Sequence, residues 1–74
     1  MTQKTINIAI TTEYLQLQQL LKKIGVISTG GEAKIYLSQT PVLVNGEEEN
    51  RRGRKLYPGD AVLVDNTNYL ITTK

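Results

Sequence analysis

An α+β domain, in the order β-α-α-β-β-β-β, is predicted by three observations. Ile6, Ile8 and Ile10 alternate with Asn7 and Ala9, the period of a strand rich in β-branched residues. Apolar residues then recur at 14, 17, 20, 21 and 24, the period of one helix face, and Gly25 lies just past the last of them. From Pro41 onward, short apolar runs are separated by Asn45-Gly46, Pro58-Gly59-Asp60 and Asp65–Asn68, each a turn signal.

The elements follow in order. After the isoleucine strand, Thr12 is the expected N-cap, with Glu13 at the positive end of the helix dipole, so the first helix is expected over Glu13–Ile24. Val26-Ile27 is a short apolar link that anchors the turn in the core. Ser28-Thr29 supplies a hydroxyl cap and Glu32 an early acid for a second helix, which Pro41 stops. Ala33, Tyr36, Leu37 and Thr40 share a face of it. The two helices make a helix-turn-helix-like pair. Val42 and Val44 alternate with Leu43, and Asn45-Gly46 turns the chain because both residues tolerate positive φ. Arg54–Tyr57 is expected to return as a short strand, with Ala61–Val64 and Tyr69–Thr72 completing the sheet.

Seventy-four residues make a single domain, 1–74, near the size below which one apolar core leaves little stability margin. With four Tyr and neither Phe nor Trp, the core must come from Leu, Ile and Val. The lack of Cys excludes a disulfide or a thiolate metal site and suits a reducing compartment. No stretch reads as a signal peptide or a membrane span, so a cytoplasmic protein without a membrane partner is expected.

A net charge of +2 makes the overall field a weak attractor, and distribution matters more. Arg51, Arg52, Arg54 and Lys55 place four cations in five residues, interrupted by Gly53 alone. Glu47, Glu48 and Glu49 precede them and read as a solvated turn, since three consecutive carboxylates in a turn point different ways. Tyr14, Tyr36 and Tyr69 read as core. Tyr57 reads as a core or edge filler, or as a ring for stacking on a base. Asp60 is a turn residue bonding its own backbone.

Over about Gln16–Val64, Leu17, Leu21, Gly25, Ala33, Leu37, Val42, Val44, Asn45, Gly46, Pro58, Gly59 and Asp60 stand at signature positions. In these the chain resembles the small RNA-binding module named after ribosomal small-subunit protein S4, the alpha-L motif. The resemblance implies two short helices followed by a curled antiparallel sheet with hairpins. Thr29-Gly30-Gly31-x-Ala33-Lys34 and Arg51-Arg52-Gly53-x-Lys55 look like the short stand-alone members, found in Gram-positive bacteria near replication and recombination genes.

Two stretches depart from the pattern. Gln16-Leu17-Gln18 stands where members usually carry Arg-Leu-Asp, and Thr29-Gly30 where they carry Ser-Arg. Two arginines that commonly contact RNA are therefore missing. Either binding has moved onto the basic run, or it is weaker, or the partner differs.

The module typically meets RNA through its helix pair and the adjoining loop, by shape and phosphate, which suits folded RNA whose deep groove hides the bases. The RNA-binding set implied here is Thr29, Gly30, Gly31 and Lys34 with Arg51, Arg52, Arg54 and Lys55. Gly30 and Gly31 would bring backbone N–H groups near a phosphate, or merely allow a tight helix–helix turn. Arginine offers paired donors to phosphate and a flat face for bases. Lys22 and Lys23 are peripheral candidates, though their place at the negative end of the first helix is explanation enough.

With no His, no Cys, no spaced carboxylate pair and no phosphate-loop, metal or nucleophile-elbow motif, a non-catalytic binder without a cofactor is expected. Its partner would be structured RNA, ribosomal or tRNA-like, on the ribosome or free, bound by a monomer. A DNA replication or repair accessory role, or a protein adaptor without nucleic acid, are the alternatives.

Overall fold

The computed structural model describes residues 4–74, so the first three residues of the expected 1–74 domain lie outside the described residues. The chain forms β1 (Lys4–Ile10), β2 (Leu15–Gln16), α1 (Leu17–Lys23), α2 (Gly30–Gln39), β3 (Val42–Val44), β4 (Glu47–Glu49), β5 (Lys55–Leu56), β6 (Ala61–Val64) and β7 (Thr67–Thr73). The α+β class is as expected. The main sheet has five strands in the order β1-β7-β6-β3-β4, and β2 pairs separately with β5. Its hairpin neighbours are antiparallel, but β1 runs parallel to β7, with Lys4 opposite Thr67 and Ile10 opposite Thr73.

The first helix is shorter than its apolar period. Expected from Glu13, it starts at Leu17, because Leu15 and Gln16 pair with Leu56 and Lys55 as strand instead. Tertiary pairing overrides local helix preference here. Thr12 is not the cap: its hydroxyl donates to the Tyr14 carbonyl at 2.9 Å. Gln16 is the N-cap, and its backbone N–H donates to Gln19 Oε1 at 2.9 Å. At the other end Gly25, at φ +86°, donates to the Lys22 carbonyl and Val26 to that of Leu21, the paired bonds of a Schellman cap. α2 is capped as expected, with Thr29 Oγ1 accepting from the Glu32 N–H at 3.3 Å and the Glu32 carboxylate accepting from the Ser28 N–H at 3.2 Å.

The Asn45-Gly46 turn is as read, with φ of +53° and +87°, and it joins β3 to β4. Its return strand is therefore Glu47–Glu49, not Arg54–Tyr57, and the acidic triplet is not a loop. A two-residue turn leaves Val42 opposite Glu49, which carries that carboxylate to the buried side. Of the expected Arg54–Tyr57 strand only Lys55–Leu56 forms, against β2. A second turn with positive φ, at Asp65 and Asn66, joins β6 to β7, which starts earlier than expected.

One apolar cluster unites Ile8 and Ile10 of β1, Leu17, Leu20 and Leu21 of α1, Ile27 of the link between the helices, Ala33 and Leu37 of α2, and the inward residues of β3, β5, β6 and β7. Tyr36 and Tyr69 pack at its margin. Among the described residues, no helix is long and apolar enough to cross a membrane.

Asn45 fastens the two sequence signatures to each other. Its amide donates to Asp60 Oδ1 at 3.1 Å and its carbonyl oxygen accepts from the Ala61 N–H at 3.0 Å. Asp60 Oδ2 in turn accepts from the Tyr57 N–H at 2.7 Å, closing the Pro-Gly-Asp turn on itself. Asn45→Ala removes both amide contacts and puts at positive φ a residue that tolerates it less well than asparagine. It is expected to cost about 1–3 kcal/mol in urea unfolding, with the slope of the transition unchanged.

Candidate nucleic-acid interface

A helix begins with N–H groups that its own turn cannot satisfy. In α1 two of them are taken by the basic segment: Leu17 N–H donates to the Arg54 carbonyl at 2.8 Å and Gln18 N–H to the Arg52 carbonyl at 2.9 Å. The basic run is thus not displayed on a free hairpin. Its backbone is bonded to the first turn of α1. From there the Arg52 guanidinium reaches the start of α2 and donates to the Gly30 carbonyl at 3.1 Å. A β-carbon at Gly30 would stand 3.0 Å from Gln18 Oε1, so glycine leaves room for the Gln18 side chain between the two helix starts.

Arg51 and Arg54 have an internal partner. The Glu49 side chain, 7% exposed, accepts from Arg51 Nε and Nη2, both at 3.0 Å, and from Arg54 Nη1 at 2.8 Å. It also accepts from the Arg51 backbone N–H at 3.0 Å. The hydrogen bonds from the Arg51 side chain, with help from its N–H and from Arg54, hold the Glu49 carboxyl well below its ordinary range, at about 2, against the opposing effect of burial. The carboxylate offsets one positive charge of the run and fixes the direction of two guanidiniums. Arg51 nevertheless leaves 72% of its side chain open to solvent.

The other expected residues divide between two sides. Thr29, Gly30 and Gly31 form the α2 start beside Arg52, and Lys34 is exposed one turn on, on the same helix face as Gly30. Lys55 lines a groove with Arg51 and Arg54, away from the α2 start, and its ammonium lies 4.9 Å from the Tyr14 ring centroid. Lys22 and Lys23 are exposed at the far end of α1, about 10 Å along the helix from the arginine loop, and do not join it.

A family model described as an S4 domain matches residues 8–72. The chain belongs to the S4 domain family. It is similar to the "Probable ribosome maturation protein RlbA" of Bacillus subtilis (strain 168), with 55% identity over 58 residues, covering 78% of this chain and 82% of that protein. No solved structure matches.

In this S4 domain the Thr29-Gly30 step carries no side-chain cation of its own, and the Arg52 guanidinium is delivered to Gly30 from the loop. Sequence reasoning missed Glu49 as the partner of two arginines. The Asn45-Gly46 turn and the buried Val42 together held that signal, since register puts position 49 opposite 42. It also placed Tyr14 in the core, and it read Tyr57 as a filler or a stacking ring without linking it to Tyr14. The two rings instead lie together, 5.9 Å between centroids, with Tyr57 43% exposed.

Because the folded Glu49 carboxyl titrates below its unfolded value, its stabilising effect is full above about pH 4.5 and is lost as pH falls toward 2. Glu49→Gln is expected to lower Tm at pH 7, and the gap from wild type should narrow steadily between about pH 5 and 3. Circular-dichroism melts across that range provide the check, and a gap independent of pH would contradict the assignment.

Proposed function

We propose that this S4 domain is a non-catalytic binder of structured RNA that acts on the ribosome or its assembly intermediates, using Lys34, Arg52 and the outer faces of Arg51 and Arg54. The observation that carries the reading is the Arg52–Gly30 contact, which joins the basic loop to the helix pair so that both offer donors to one phosphate track. Family membership supports the RNA class, and the printed name of the Bacillus subtilis relative supports the ribosomal setting. Thr29, Gly30 and Gly31 contribute shape and backbone at the α2 start. An arginine whose Nε and one Nη2 hydrogen are held by a carboxylate still has donors for a phosphate, and it is already oriented when RNA arrives. The A-form helix favours such phosphate and shape contacts over base-edge reading.

Neutralising about four phosphates gives a salt slope of about −3 to −4, so affinity should fall about a hundredfold between about 50 and 200 mM salt. Reversal at Arg51 or Arg54 would also disturb Glu49, so Lys34→Glu with Arg52→Glu is the cleaner test. That double variant is expected to lose at least about tenfold in affinity for a ribosomal RNA stem, with Tm nearly unchanged. Undiminished binding, or equal preference for a DNA duplex of the same sequence, would count against this reading.

A further inference from the structure

We propose that Tyr57, braced by Tyr14, is a stacking platform for one unpaired base of the bound RNA. The inference rests on the RNA-binding reading above and narrows it to folded RNA carrying an unpaired nucleotide beside its stem. Tyr57 is 43% exposed, although it directly follows β5 and the wholly buried Leu56. Its backbone is fixed by the Asp60 carboxylate at 2.7 Å, and its ring meets Tyr14 at 5.9 Å, tilted by 49°. Lys55 lies over the Tyr14 ring at 4.9 Å, which helps hold the pair in place. An exposed ring held on several sides loses little freedom on stacking.

The surroundings are those of a nucleotide. A shallow groove beside Tyr57 is lined by Arg51, Gly53, Arg54, Lys55 and Asp60. The Asp60 carboxylate is engaged by the Tyr57 N–H and the Asn45 amide, whereas the three cations can meet a backbone phosphate. Gly53 adds an independent observation. Its φ is outside the left-handed region, and a β-carbon there would meet nothing within 4 Å. The chain's own packing does not demand glycine at that point, and its absent side chain leaves the groove open. A tyrosine beside arginines on an open groove is the arrangement by which unstacked bases are held in single-stranded segments.

The test compares an RNA hairpin with a continuous stem to the same hairpin bearing one unpaired 2-aminopurine. The full-length protein is expected to bind the second more tightly and to quench its fluorescence. Tyr57→Leu should abolish the quenching and weaken binding to the bulged hairpin about tenfold, while changing binding to the continuous one less than twofold. Tyr57→Phe should keep both effects. Gly53→Val, which has room to fold, should remove the bulge preference. If wild type showed no bulge preference, or Tyr57→Leu behaved as wild type while the Lys34→Glu, Arg52→Glu variant lost both hairpins, stacking would be refuted and RNA binding would stand. Failure of wild type to bind either hairpin would overturn both.

Discussion

Two backbone hydrogen bonds, from Leu17 and Gln18 N–H groups to the Arg54 and Arg52 carbonyls, set the arrangement of everything around the site. They satisfy the opening turn of a seven-residue helix too short to be stable alone. They also convert a glycine-containing basic stretch into a fixed surface. The β2–β5 pair continues the same connection, and Arg52 extends it to α2. Helix stability and the position of the cations are therefore one physical problem, solved by the same atoms.

Charge in this surface is arranged rather than accumulated. A buried carboxylate beside two arginines reduces the local positive potential but spares the loop the freedom of two long side chains. Exposed ion pairs contribute little, and it is the burial and fourfold hydrogen bonding of Glu49 that make this one structural. The loop gives up some long-range attraction for guanidiniums held at defined angles.

What was legible in the sequence was short in range. Asn45-Gly46, Gly25 after Ile24, and Thr29 with Glu32 each act within a few residues, so their turns and caps could be read directly. The β-alternation of Ile6, Ile8 and Ile10 was equally plain. The start of α1 was not, because Leu15 fits helix or strand and its partner Leu56 is far along the chain. The candidate site residues were nameable from charge and family likeness, but how they are grouped depended on distant contacts: Arg52 with Gly30, Tyr14 with Tyr57, and the register that turns Glu49 inward. Lys55 was grouped with the arginines by adjacency; it shares a groove with Arg51 and Arg54, but its ammonium lies over the Tyr14 ring, a contact that adjacency does not reveal.

The parallel seam between β1 and β7 has a kinetic meaning. Every residue of β1 finds its partner across nearly the whole length of the chain, from Lys4 with Thr67 to Ile10 with Thr73. Such a closure carries a large loop entropy and cannot nucleate folding locally. The helix pair and the β3–β4 and β6–β7 hairpins can assemble first from neighbouring segments. The isoleucine strand is thus the element whose docking the topology most delays, and its release would expose the β7 edge and loosen the core at Ile8 and Ile10.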